Sequence, residues 1–137
     1  MTQITVAIAV IVRAGELLIA QRKPTGPLAD YWEFPGGKCE PGETIESCLH
    51  REIKEEIDVD IEILRPLDVL HHTYPHGQLA IHPFYCRITA GTPRPVACQQ
   101  ILWIKPNQLR NYRFPPANDD LLKSIVQAPL PQSIQPE

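Results

Sequence analysis

Glu52, Glu55 and Glu56 stand three and four positions apart in the most acidic stretch of the chain. Residues 40–62 hold nine of its sixteen acids: Glu40, Glu43, Glu46, these three, Asp58, Asp60 and Glu62. At about 100° per residue, a helix places the three carboxylates within about 100° of one another. Leu49, Ile53 and Ile57 form an apolar stripe beside them, while Ser47 and Lys54 take the far side. Carboxylates so spaced repel, and the margin of a core makes the repulsion costlier. A solvated helix face would explain a charge run, but not acids set against an apolar stripe. A divalent cation removes the conflict. Carboxylate donors without Cys or His among them point to Mg²⁺, with Mn²⁺ as a substitute, rather than zinc. Just upstream, Gly36-Gly37-Lys38 opens a loop that reaches Glu43. Its glycines allow close approach of backbone to a ligand, with carbonyls for a metal and amides for phosphate. The chemistry implied is phosphoanhydride cleavage, in which Mg²⁺ neutralises phosphate charge and orients a water while a carboxylate takes its proton.

The elements that must position these groups follow from pattern. Residues 4–12, rich in β-branched side chains, predict a mostly buried strand, and 16–22 a second strand across a turn at Arg13-Ala14-Gly15. Pro24, Gly26 and Pro27 mark a loop, and 32–34 is a short extended piece. Thr44 caps a helix to about Ile57, with Glu46 favourable in its first turn. Strands are expected at 61–70, 79–88 and 101–104. A last helix is expected from Pro115-Pro116 to about Gln127. The order β-β-β-α-β-β-β-α predicts an α+β fold, a mixed β-sheet flanked by helices as an α/β/α sandwich. Residues 1–128 make one domain, and 129–137 a Pro-rich loose tail.

The stretch 37–59 resembles the Nudix box. Gly37 is followed by five residues to Glu43, then seven to Arg51-Glu52, Ile53, Lys54, Glu55-Glu56, Ile57, Asp58 and Val59. Asp58 stands where that family carries Gly, a position that ends the helix in a left-handed cap and that Asp tolerates. Trp32-Glu33-Phe34-Pro35-Gly36-Gly37-Lys38, Trp103 and Phe114-Pro115-Pro116-Ala117-Asn118 extend the likeness to MutT-like members of the family, to about residue 127. The resemblance implies a Nudix hydrolase that cleaves a nucleoside triphosphate to a monophosphate and pyrophosphate through water attack at the β-phosphorus. Metal would be held by Glu52, Glu55, Glu56 and the Gly37 carbonyl. Glu52 or Glu55 would serve as base, and Arg51 would orient the carboxylates. Arg22, Phe34, Lys38 and Asn118 would bind substrate, with Asn118 and Arg22 on the base edge. Asn118 offers a donor and an acceptor together, although it could instead support the last helix, and Arg22 could be an exposed strand-end charge. Some relatives carry a further metal-binding Glu about six residues before the residue matching Trp103; here 96–100 read Val-Ala-Cys-Gln-Gln, without an acid. The expected substrate is 8-oxo-dGTP, in nucleotide-pool sanitising and mutation avoidance. The alternatives are CTP or a methylated dCTP, or a non-hydrolysing 8-oxoguanine-recognition module, which would not need all three glutamates.

Three further features complete the reading. His71, His72, His76 and His82 fall in a strand–turn–strand around Pro75 and Gly77, as pocket-rim or edge-strand histidines rather than a second metal site. Tyr74, Phe84 and Tyr85 either line a base pocket or simply pack. Cys39, Cys48, Cys86 and Cys98 lack zinc-type spacing and read as reduced thiols, which implies a cytoplasmic setting. The formal charge of −3 argues against a nucleic-acid-coating protein. The longest apolar run, 4–12, is too short to span a bilayer and lacks the flanks of a signal peptide. The expected partner is a small-molecule nucleoside triphosphate, taken by a monomer without stable nucleic acid binding or membrane attachment.

Overall fold

A computed structural model describes residues 2–132. The long first strand, β1 (Thr2–Arg13), is its axis. β1 turns back into β2 (Glu16–Gln21), which pairs with the short β3 (Trp32–Glu33) and with β8 (Gln100–Ile104). Its other flank runs parallel to β7 (Gly77–Ala90), from Thr2 opposite Gly77 to Ile11 opposite Cys86. β7 in turn pairs antiparallel with β5 (Asp60–Pro66) and β6 (Leu70–Tyr74). The result is a mixed eight-stranded sheet.

Alternation along β1 divides the core. Ile8, Val10 and Val12 point into one apolar cluster, closed by Leu121 and Ile125 of α2 (Asp119–Gln127). Ala7, Ala9 and Ile11 point to the opposite face, against Cys48, Leu49, Ile53 and Ile57 of α1 (Ile45–Ile57). Both faces of the strand are buried, so its sequence is almost unbroken in apolar residues. The architecture is the expected α+β sandwich, a mixed sheet flanked by helices.

α1 begins and ends on local chemistry. The Thr44 side chain accepts a hydrogen bond from the Ser47 N–H at 3.1 Å, and Glu46 lies in the first turn. Asp58 takes the left-handed conformation, φ 58° and ψ 46°, and its N–H donates to the Lys54 carbonyl. Its carboxylate accepts from Arg94 Nε at 3.0 Å.

Several elements depart from the sequence reading. The strand expected at 61–70 ends at Pro66 as β5, and a separate strand, β6, runs from Leu70 into the expected strand–turn–strand, the two facing different halves of β7. Pro83 sits in β7 without an N–H to give, and its carbonyl accepts instead from Leu67 in the connection between the two strands. Gly36–Lys38, read as a loop, form a strand, β4, antiparallel to β1. The last helix starts later than expected, because Pro116–Asn118 form a 3₁₀ turn before α2. A second 3₁₀ segment covers Pro106–Asn111. Of the expected tail, 129–132 carry no regular structure, although Leu130 packs on the core; 133–137 lie outside the described residues. Phe84 and Tyr85 are core side chains in the two clusters, although Tyr85 also borders a cavity of about 240 Å³ beside Arg65 and Leu67. The four cysteines are not all thiols: Cys39 and Cys48 form a disulfide, their Cα atoms 5.2 Å apart, while Cys86 and Cys98 are free and buried. Strand β4 and helix α1, packed together, bring Cys39 beside Cys48, a contact that spacing along the chain does not encode.

Candidate active site

Strand β4 lies between β1 and α1, and its glycines make that position possible. A Cβ on Gly36 would run into the backbone of Ala7 and Ile8, and one on Gly37 would overlap the Glu52 carboxylate. The Gly-Gly pair thus lets the strand pass directly over the acids of the helix. A cavity of about 430 Å³ opens here, lined by Glu56, Gly36, Gly37, Lys38, Glu33, Phe34, Arg22 and Ala97 among others.

The three glutamates of α1 meet this cavity unequally. Glu56 lines it, and its Oε1 is fully buried without a hydrogen-bond partner among the described residues. Burial, then the charges of Glu33 and Glu52, raise the Glu56 carboxyl to about 8, against the opposing pull of the Gly36 N–H and Arg22. Glu52, 19% exposed, lies under Gly37 and accepts from Arg51 Nη1 at 2.7 Å. Glu55 lies outside the cavity, 60% exposed, and accepts from the same nitrogen at 3.2 Å. Among the described residues no group of three His, Cys, Asp or Glu side chains is set to hold a metal ion. Glu52 and Glu55 share the same Arg51 nitrogen, whereas Glu56 faces the cavity. Arg51 also grips both oxygens of Glu43, at 2.6 and 2.8 Å, and donates to the Lys38 carbonyl at 3.2 Å. This fork holds Glu43 down to about 2 and clips the loop to the helix.

A second cavity of about 370 Å³ adjoins the first and shares Val6, Ile8, Arg22, Glu33 and Phe34 with it. Its walls are mostly apolar, with Leu79, Ile81, Pro115, Pro116 and Ala117 joined by His72 and Asn118. Asn118, 9% exposed, precedes α2, but its side chain makes no capping bond. Phe34 is buried and packs against Phe114 with ring centres 5.2 Å apart. Arg22 pairs with Glu33 at 3.0 Å where the two cavities meet. Burial raises the Glu33 carboxyl, with Arg22 opposing.

The expected residues Arg22, Phe34, Gly37, Lys38, Glu56 and Asn118 therefore line one continuous cleft, with Glu52 beneath its floor and Arg51 and Glu55 beside it. Sequence reasoning assigned no role to Glu33, which faces both cavities, or to Glu43, the main partner of Arg51. The spacing of the acidic box contained Glu43; nothing in the pattern set Glu33 apart. Of the histidines, His72 reaches the second cavity, and His82 packs near His71, with burial and then that neighbour's charge lowering its pKa.

Residues 7–124 match the family model for the NUDIX domain. The chain belongs to the Nudix hydrolase family. It is a MutT-like pyrophosphohydrolase by its relatives. The CTP pyrophosphohydrolase of Escherichia coli is 31% identical over 127 residues, covering 92% of this chain and 93% of that protein. The 8-oxo-dGTP diphosphatase of Haemophilus influenzae is 30% identical over 112 residues, 82% of each chain. The crystal structure of a MutT NUDIX hydrolase from Burkholderia pseudomallei superposes with a TM-score of 0.81 at 25% identity, over 91% of this chain and 99% of that one. In this Nudix hydrolase no helix of the described residues is long and apolar enough to cross a membrane.

Proposed function

We propose that this Nudix hydrolase is a Mg²⁺-dependent nucleoside triphosphate pyrophosphohydrolase that converts 8-oxo-dGTP to 8-oxo-dGMP and pyrophosphate, acting as a cytoplasmic monomer. The supporting observation is the continuous cleft, with a buried acid at one end and, at the other, the Asn118 amide, which is not engaged in capping α2. The residues fit a hard cation: Glu56 Oε1 is orphaned, and Glu52, Glu55 and the Gly37 carbonyl offer further oxygen donors. Gly37, Glu52, Glu55 and Glu56 would hold Mg²⁺ or Mn²⁺, which when bound neutralises polyphosphate charge and favours ionisation of water. Glu52 or Glu55 takes the proton of the attacking water. The new bond forms at the β-phosphorus, and the bond to the α-bridging oxygen breaks, leaving the monophosphate. Arg51 holds the carboxylates and the loop in register. Lys38 faces the polyphosphate, Phe34 walls the base, and Asn118, with Arg22 beside it, reads the base edge, its amide offering a donor and an acceptor.

A second reading, a cytidine or methylated deoxycytidine triphosphate as substrate, is favoured by the identity to the Escherichia coli CTP pyrophosphohydrolase along nearly the whole chain. Turnover on a panel of 8-oxo-dGTP, dGTP, CTP and methylated dCTP, with pyrophosphate detected, separates the two. Asn118→Ala should cost about 1–3 kcal/mol of preference for 8-oxo-dGTP over dGTP, the penalty of leaving buried polar partners unpaired. An equal fall for every nucleotide would make Asn118 a scaffold residue, and outright preference for CTP would overturn the oxidised-guanine reading.

A further inference from the structure

A disulfide sits where the active-site loop meets the catalytic helix. Cys39 directly follows β4, and its N–H donates to the Thr5 carbonyl at 2.8 Å, which fixes it to β1. Cys48 is fully buried on the apolar face of α1. The bridge closes the segment that carries Glu40, Gly42, Glu43 and the helix cap Thr44. Noncovalently, that segment is held to the helix by the Arg51–Glu43 fork. The sulfur of Cys48 lies 4.0 Å from the Gly37 carbonyl oxygen. Bridged, this sulfur has no hydrogen to donate. Reduced, it is a thiol facing that carbonyl, and a thiol is a weak donor. Disulfides in cytoplasmic proteins are as a rule transient, catalytic or redox-sensing.

We propose that Cys39 and Cys48 form a reversible redox latch, in which oxidation pins the Cys39–Glu43 loop to α1, removes the thiol hydrogen that faces the Gly37 carbonyl and tightens binding of a divalent cation. The latch goes beyond the hydrolase reading, and rests on it for the cytoplasmic setting and for the assignment of Gly37 to the cation. Closure needs a peroxide. The half-buried Cys39 thiolate attacks a peroxide oxygen, the O–O bond breaks, and the departing hydroxide is protonated to water, leaving a sulfenic acid. Cys48 then attacks the sulfenic sulfur, the S–S bond forms and a second water leaves. Two thiols are oxidised and one hydrogen peroxide is reduced. A dithiol reverses the step through a mixed disulfide, returning two electrons and two protons. Cys86 and Cys98 remain buried thiols throughout, each raised by burial, to about 12 and about 11.

The test uses the full chain, fully reduced with dithiothreitol and desalted without oxygen, with one half then oxidised by hydrogen peroxide. Alkylation under denaturing conditions and mass measurement count the thiols, and Mn²⁺ titration followed by electron paramagnetic resonance reads the site without turnover. The oxidised form should show two thiols and bind Mn²⁺ about tenfold tighter than the four-thiol form, the lower end of what orienting a ligand contributes. Cys39→Ser, at the less buried partner, should bind like the reduced form and ignore peroxide. Equal Mn²⁺ affinity in the two forms, or four thiols after peroxide, overturns the latch and leaves the hydrolase reading standing. Absence of Mn²⁺ binding in both forms overturns the cation site itself, and the latch with it.

Discussion

Replacing Glu56 by Gln tests whether the buried acid of the cleft is held for a cation. In the metal-free protein the Glu56 carboxyl titrates near 8 because burial and the Glu33 and Glu52 charges disfavour its ionised form. In the unfolded chain it titrates near 4.3. Between those values the folded state keeps a proton that the unfolded state has released, so its contribution to stability falls as pH rises and levels off above 8. Each pH unit in that window is worth about 1.4 kcal/mol per proton, which from pH 5.5 to 7.5 sets a ceiling of about 2.5 kcal/mol. The carboxyl borders an open cavity, where water relaxes the penalty, so about 1–2 kcal/mol is expected. Glu56→Gln does not titrate. Urea unfolding of both proteins in a chelator at pH 5.5, 6.5 and 7.5 should show the variant gaining that much on the wild type as pH rises. Saturating Mg²⁺ should shrink the gain, because cation replaces proton at the carboxylate. Parallel pH profiles in chelator, or a wild type that gains on the variant, would refute the placement of a strained carboxyl at Glu56.

Glu55→Gln should lower hydrolysis by a factor on the order of 10²–10⁴, the range for removing a metal or acid–base group, while the metal-free protein stays folded because the side chain is 60% exposed. Unchanged turnover would remove Glu55 from the catalytic set. Gly37→Ala should fold, by circular dichroism, yet lose about 10²-fold in turnover, since a Cβ there displaces the Glu52 carboxylate. Activity within twofold of the wild type would show that Glu52 need not lie where the structure puts it.

Helix α1 was legible because its signals are local. Thr44 caps it, Leu49, Ile53 and Ile57 face the core, and Asp58 closes it in a left-handed turn. The hairpin of β1 and β2 is local in the same sense. What stayed hidden depends on partners distant along the chain. Gly36–Lys38 looked like a turn because nothing in that tripeptide says that β1 will run beside it. The split between β5 and β6 is written in Pro83, on the opposite strand. Angular arithmetic put the three glutamates on one arc but not in one environment. Relative to Glu52, Glu56 lies about 40° toward the apolar stripe and Glu55 about 60° toward Arg51. The cleft opens on the first side, and the guanidinium claims the second.

The parallel pairing of β1 with β7 also has a consequence for synthesis. Its partners lie about 75 residues apart along the chain. A ribosome adding roughly 5–20 residues per second makes β1 some 4–15 s before β7 exists. Through that interval an apolar strand is without the neighbour that covers one whole edge, a state prone to intermolecular pairing. α1 is already made but has only part of the surface on which it packs. Lesions in β7 should therefore appear first as lost yield of folded protein, with the molecules that do fold turning over normally.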